Sequence, residues 1–230
     1  MSRLVTFWNQ IHKLKSLYEK RGIAFLNEID STPEFKDFYQ TLKLLRTEDF
    51  NFKQDISSYF GQETRYINFI SEPNLGLGIF LFPVGGNFPI HDHPDAFVGT
   101  KILKGKLSVQ PYDVLEGEKQ SEIQKICKNE NISQDHIASR LDPIVQVNKK
   151  DRLIIPVGGV NYLTPKKENA HRVEAIEEPC AMLDVFIPNP NFRVVYEEVD
   201  GKLKFVKKYE IIKALNSLEF NDITTTPLSM

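Results

Sequence analysis

Cysteine is scarce: Cys127 and Cys180 are the only two in 230 residues. Two thiols cannot build a disulfide framework or a thiolate metal cluster, and neither sits in a CxxC pair, so both are expected to be reduced and without a catalytic role. No charge of one sign dominates, with 29 basic against 31 acidic residues, which leaves no electrostatic footprint for nucleic acid or an anionic membrane. Long apolar runs are missing too, and basic residues interrupt the N-terminal segment from Arg3 onward, so neither a membrane span nor a secretory signal is expected. A cytoplasmic monomer with small or locally recognised partners is the expectation. Histidine is also rare, at five residues, yet two of them, His91 and His93, stand one residue apart in "FPIHDHPD" at 88–95.

The chain is long enough for one sizeable domain with helical additions. Leu4, Trp8, Ile11, Leu14 and Tyr18 recur in steps of four and three, one apolar stripe on a helix, and His12 lies off it as a surface residue. "STPEF" announces a second helix, with Thr32 as N-cap, Pro33 at the first helical position, and Phe35, Phe38, Tyr39, Leu42 and Leu45 on its apolar face. Residues 1–60 are therefore read as a helical extension packed on the main domain.

From about residue 64 the texture changes to short runs bounded by Gly, Pro and Asn: "RYINFI", "LGLGIFLF", "FVGTKIL", "KLSVQPY", "RLIIPV", "HRVEAI", "CAMLDVFI", "VVYEEV" and "KLKFV". Many short strands predict a sandwich or barrel over 61–207. Lys104-Gly105 and Asp200-Gly201 read as hairpin turns, the latter of type I′. "PVGGN" at 83–87 returns as "PVGGVN" at 156–161, which points to a two-motif barrel. The polar segment 114–150 reads as an excursion between strands with one short pairing, and His136 within it as a solvated loop residue. Residues 208–230 are read as a short helix around "KKYEIIKALNSLEF" followed by a tail.

With His12 and His136 set aside, His91, His93 and His171 remain. Residues i and i+2 of a strand project from one face, so the HxH pair aims two imidazoles at one point, and one distant histidine completes three convergent nitrogen donors. Imidazole suits zinc, iron, nickel and copper, so the donors define a metal site without naming the metal.

"GGNFPIHDHPDAFVGTKILKG" resembles the first cupin motif: a glycine, an HxH pair, then a Gly-terminated hairpin. Most metal-binding cupins carry a glutamate shortly after the pair, where this chain has Ala96, Phe97 and Val98, and Asp95 is wrongly placed. The implied site is three neutral histidines. A divalent ion so held keeps its full charge and open positions, and attracts an anionic ligand such as a thiolate.

"LTPKKENAHRVEAIEEPCAMLDVFIPNP" (163–190) is similar to the corresponding stretch of the thiol dioxygenases that include cysteamine dioxygenase and the plant cysteine oxidases. "LGLGIFLFPVGGNFPIHDHP" likewise resembles their entry to the HxH pair, and the likeness runs over roughly 60–200. The resemblance implies a mainly β protein, a cupin (double-stranded β-helix, jelly-roll-like) barrel with N-terminal helices. It further implies Fe(II) on His91, His93 and His171, and addition of both atoms of dioxygen to a thiol to give a sulfinic acid. The implied substrate is a small aminothiol such as cysteamine or the N-terminal cysteine of a protein or peptide. In the latter case the enzyme would act as an oxygen sensor feeding the N-degron route.

Asp184 matches the family's acidic residue in "LDV" and is the expected catalytic carboxylate. Alternation puts Met182, Asp184 and Phe186 on one face of its strand and Ala181, Leu183, Val185 and Ile187 on the other. Both faces are otherwise apolar, so Asp184 should be at least partly buried and should meet a donor or a substrate amine. Asn169, two residues before His171, is assigned a turn-forming role. The chain departs from its relatives where they carry Pro-Pro-Tyr and it has Ile187-Pro188-Asn189-Pro190; Phe192 or Tyr196 is the candidate to fill the missing tyrosine's place. The cysteine that some relatives crosslink to a tyrosine has no counterpart in "FRVVYEE", so no such cofactor is expected. Two rivals stay open: a zinc or other-metal cupin acting as hydrolase or isomerase, and a non-catalytic cupin that binds a ligand or partner.

Overall fold

The computed structural model describes residues 2–129, 144–190, 193–209 and 216–217. His136 and Phe192 lie outside them. Five described residues inside the segment expected to be a C-terminal helix, 207–209 and 216–217, are strand instead; the rest of that segment and the tail lie outside the described residues.

Ser2 caps the first helix, α1 (Arg3–Arg21), its Oγ accepting from the Val5 N–H. Ile11 and Leu14 of the apolar stripe are fully buried, but Phe7 takes the third buried place while Leu4, Trp8 and Tyr18 pack at its edge. His12 is not a free surface residue: Trp8, one turn earlier, covers it with ring centroids 4.7 Å apart, and its Nε2 is buried. After the single turn α2 (Ile23–Leu26), α3 (Pro33–Leu44) starts as expected, with Thr32 Oγ1 accepting from the Phe35 N–H at 3.2 Å and Pro33 in the first turn.

The strands form two sheets. One contains β1 (Arg65–Glu72), β2 (Leu75–Phe82), β4 (Phe97–Lys104), β8 (Val160–Leu163), β10 (Cys180–Ile187) and β13 (Asn216–Ser217), ordered β13-β1-β2-β10-β4-β8. The other contains β3 (Asn87–Asp92), β5 (Lys106–Val114), β6 (Ile144–Lys149), β7 (Leu153–Pro156), β9 (Ala170–Ala175), β11 (Arg193–Val199) and β12 (Lys202–Tyr209), ordered β6-β12-β11-β3-β9-β5-β7. Each of the nine runs read as strands is a strand. From β2 to β5, and again from β8 to β11, the chain changes sheet at every step, which is the double-stranded β-helix of a cupin. The repeat "PVGGN"/"PVGGVN" marks one of these crossings, β2 to β3, and the crossing from β7 to β8 that leads into the second run.

Lys104-Gly105 is another crossing and not a hairpin: β4 and β5 belong to different sheets. Gly105 has φ +77, and a Cβ on it would stand 2.2 Å from the Pro179 carbonyl oxygen, so the glycine serves a corner against a neighbouring loop. Asp200-Gly201 does close a hairpin between β11 and β12, both residues at positive φ as a type I′ turn requires.

Three apolar clusters follow from the layers. The barrel interior holds Phe82, Ile102, Leu107, Val109, Val173 and Met182 among others. Outside the first sheet, Ala181, Leu183, Val185 and Ile187 of β10 pack with α1 and α3, so the alternation read along "CAMLDVFI" is realised residue by residue. Outside the second sheet lies a helix the sequence reading did not anticipate, α4 (Gly117–Asn129), within the 114–150 excursion; Ile123 and Cys127 pack there with Ile90, Tyr112, Val194 and Tyr196. The single pairing expected in that excursion is β6, which joins β5 and β12. Both cysteines are buried, and burial pushes the Cys180 thiol up to about 12, which keeps it protonated and inert. Among the described residues no helix is long and apolar enough to cross a membrane.

Candidate metal centre

His91 lies near the end of β3, His93 follows just past it, and His171 on β9 is the residue paired with His91 in the antiparallel register. Sheet pairing thus does what sequence distance hides: it brings residue 171 beside residue 91. The Nε2 of His171 is 3.1 Å from that of His91 and 3.2 Å from that of His93. His91 Nδ1 lies 2.8 Å from the Pro89 carbonyl oxygen, which can only accept. The proton therefore sits on Nδ1, and Nε2 turns a lone pair toward the other two rings.

Burial pushes His91 down to about 4, and it holds His93 and His171 well below the usual imidazole range. The Arg193 charge lowers all three further. All three rings are neutral at pH 7. With the Nδ1 of His91 protonated, its Nε2 carries a lone pair aimed at the other two rings, and a cation between them would draw on all three nitrogens. His93 Nδ1 is buried without a hydrogen-bond partner, so that ring is held by packing, including a stack on Phe186. Among the described residues, the three histidines form the group able to hold a metal, with ligand nitrogens within 4.8 Å of one another and no carboxylate or thiolate included. The donor set fits a metal ion.

Asp184 projects into the same cavity from the barrel face of β10. It is buried, and Thr100 of the adjacent strand donates its hydroxyl to Oδ1 at 2.5 Å. Burial raises this carboxyl to about 7, against the opposing pull of the Thr100 bond and the Arg193 charge. Arg193, the first residue of β11, stands in the same cavity with no sequence motif to announce it. Its guanidinium lies 5.2 Å from the Phe186 ring centroid, and burial lowers it to about 9 while Asp92, Asp184 and Tyr66 draw it up, so it stays cationic at neutral pH. The cavity is about 30 Å³ and its apolar walls include Phe80, Phe88, Met182 and Phe186.

Behind the histidines lies a polar lock. Asp92, between His91 and His93, points to the other face and accepts from the Tyr196 hydroxyl (2.7 Å), Gln124 Nε2 (2.6 Å), Gln120 Nε2 (3.2 Å) and the Val194 N–H (3.3 Å). Tyr196 is thereby directed away from the cavity and does not replace the absent tyrosine. Asn169 does more than form a turn: its side chain accepts from the Val114 N–H and donates to Gln120 Oε1 and the Pro165 carbonyl, while its own carbonyl takes the His93 N–H at 2.6 Å. Helix α4 thus braces both histidine-bearing segments from outside the barrel. Gln120, Ile123, Gln124 and Cys127 recur at helical spacing, which was the available signal.

Two interleaved sheets around three converging imidazoles define a cupin barrel with a donor set for a metal ion. The PCO_ADO family model matches residues 36–197, and the chain belongs to that family. It is similar to 2-aminoethanethiol dioxygenase of Homo sapiens, 27% identical over 140 residues covering 60% of this chain and 49% of that protein. A probable 2-aminoethanethiol dioxygenase of Dictyostelium discoideum is 27% identical over 128 residues, covering 56% and 50%. The chain therefore spans about half the length of the curated relatives it matches. Among solved structures it is similar to the Schizosaccharomyces pombe Cnp3 cupin domain, at 14% identity and a TM-score of 0.36, covering 56% of this chain and 67% of that one.

Proposed function

We propose that this chain is an iron(II)-dependent thiol dioxygenase that converts the sulfur of an aminothiol to a sulfinic acid, the substrate being a small molecule such as cysteamine or the N-terminal cysteine of a peptide or protein. One observation carries the reading: three neutral imidazoles converge, the His171 Nε2 about 3 Å from the Nε2 of each of the other two, with no carboxylate among them, in a chain of the PCO_ADO family. The names of the human and Dictyostelium relatives point the same way.

His91, His93 and His171 would hold the metal. Iron(II) bound there, its charge uncancelled by any carboxylate ligand, supplies an attraction for a thiolate and the redox chemistry that couples it to dioxygen. Both oxygen atoms end on sulfur, so the four electrons lost by the thiol match the four that dioxygen accepts, and no outside reductant is needed. The protein's share is binding and positioning. Arg193 adds fixed positive charge to the cavity and favours the thiolate over the thiol. Asp184, oriented by the Thr100 hydroxyl, offers its carboxylate to the substrate ammonium. Phe80, Phe88 and Phe186 keep the reacting sulfur out of bulk water. If protein N-termini are the substrates, the reaction would report oxygen supply by marking cytoplasmic proteins for the N-degron route.

The test is anaerobic loading with Fe(II), then air, with cysteamine, free cysteine and a Cys-initiated peptide as separate substrates followed by mass spectrometry. Gain of two oxygen atoms on an aminothiol is the expected result. Iron-loaded protein that leaves every thiol unchanged, or a preparation active only with zinc, overturns the reading.

A further inference from the structure

The histidine cavity has a neighbour on the far side of its aromatic walls. Phe80, Phe186 and Arg193 also bound a second cavity, whose other walls include Tyr66, Asn68 and Asn189. Tyr66 and Asn68 are two residues apart on β1, so their side chains leave the same face of the strand. Asn68 pairs with Gly78 of β2, and Gly78 pairs in turn with Asp184 of β10. The Tyr66 ring lies across that glycine: a Cβ on Gly78 would stand 2.3 Å from the phenol oxygen. The missing side chain is what lets the hydroxyl lie between β1 and the two charges, Asp184 and Arg193, that act on it.

Asn68 Oδ1 is buried and has no hydrogen-bond partner. Buried amide oxygens almost always have a donor, and an exception in the wall of a cavity that shares Phe80, Phe186 and Arg193 with the histidine cavity points to a ligand that brings one. Tyr66 adds a hydroxyl on the same face. One acceptor and one donor at i and i+2 on one face of a strand match the N–H and C=O of one residue of an extended peptide, which point the same way.

We infer that the second cavity is the subsite for the part of the substrate beyond the thiol, and that Asn68 is a specificity-determining residue: its Oδ1 accepts the amide N–H of the residue after an N-terminal cysteine, while Tyr66 donates to that residue's own carbonyl. This rests on the thiol dioxygenase reading and chooses between the substrates it leaves open. Cysteamine carries no peptide carbonyl or amide N–H, and its ammonium is the group that Asp184 takes; a cysteinyl peptide brings a partner for both Asn68 and Tyr66.

Proline has no amide N–H, so a Cys-Pro peptide is the probe. Binding of Cys-Ala and Cys-Pro peptides, otherwise identical, is measured anaerobically by calorimetry on the Fe(II)-loaded protein, then their oxidation is followed in air. The wild-type chain should bind Cys-Ala about tenfold more tightly, since a site built to hydrogen-bond a donor rejects the analogue lacking it. Asn68→Ala should collapse that ratio to near one by weakening Cys-Ala, with the loss in KM rather than kcat, and Asn68→Asp, which keeps the acceptor oxygen, should restore it. A ratio near one in the wild type, a ratio unchanged by Asn68→Ala, or binding of neither peptide overturns the subsite. Peptides that bind with the expected ratio but are never oxidised overturn the dioxygenase reading while leaving the subsite standing.

Discussion

Asp92, the last residue of β3, accepts the Tyr196 hydroxyl at 2.7 Å on the back of the segment that carries both His91 and His93. Alternation sends the two histidines inward and the carboxylate between them outward, into donors from β11 and α4. The pair of imidazoles is therefore aimed by a residue that never touches the cavity.

Removing that anchor should cost both stability and metal affinity. Asp92→Ala leaves two glutamine amides, a backbone N–H and a phenol without their acceptor, a loss of ~3 kcal/mol or more. Urea unfolding of the metal-free protein should show that drop, and the retained fold should bind divalent metal about tenfold more weakly. Tyr196→Phe, which removes one donor of four, should cost about 1 kcal/mol. Equal stabilities for wild type and Asp92→Ala would show that the lock is not under load.

The barrel and its inward histidines were legible because their signals are local: alternation in "CAMLDVFI", the HxH spacing, the Asp-Gly turn. Helix α4 was not, since the face it buries is made of Gln120 and Gln124 as well as Ile123 and Cys127, and a search for apolar periodicity passes over buried amides. Lys104-Gly105 was misread for a different reason. A glycine with positive φ serves a hairpin and a sheet crossing equally, and only the partner of the next strand tells them apart. Arg193 carried no motif; its place in the cavity comes from where β11 begins against β3, a relation between residues about a hundred positions apart.

The three histidines should act as a unit toward metal. Loading at a free concentration of 100 Kd stabilises a folded protein by ~2.7 kcal/mol, so Fe(II) under anaerobic conditions, or Zn(II) as a redox-silent probe, should raise the unfolding midpoint of the wild type. His91→Ala and His171→Ala should lose both that shift and stoichiometric metal after dialysis, as read by elemental analysis. Because the rings are neutral in the metal-free fold, neither substitution strands a buried charge, and the variants should remain folded. Retention of metal by either variant would mean that the ion sits elsewhere.

The N-terminal helices are fastened to the barrel through aromatic contacts. Phe38 of α3 is fully buried, packs edge-on against Phe97 with centroids 5.6 Å apart, and approaches Gly99, where a Cβ would stand 2.8 Å from its ring. Phe38→Ala should cost about 3–5 kcal/mol, the usual range for a buried phenylalanine. Gly99→Ala should push the ring away and destabilise by ~1–3 kcal/mol through overpacking. Unfolding midpoints and protease sensitivity of α1 and α3 would register both, and an unchanged midpoint in Phe38→Ala would mean that the helices are docked by other contacts.

Asp184 gives the stability of the metal-free protein a distinctive pH dependence. Burial raises its folded-state pKa from 3.8 to about 7, so between those values the folded chain holds a proton that the unfolded chain has already lost. Stability must then fall as pH rises through that window, with the penalty absent below it and complete above it. Asp184→Asn keeps an oxygen for the Thr100 hydroxyl and carries no charge, so it should remove this slope: the variant should gain on the wild type steadily from about pH 4 to about pH 7, then run parallel to it. Arg193 pulls the other way, favouring the ionised carboxylate. The sign of the slope therefore measures which influence prevails. Urea titrations at steps across the window decide it, and a wild type that gains on Asp184→Asn with rising pH would show that the Arg193 charge outweighs desolvation.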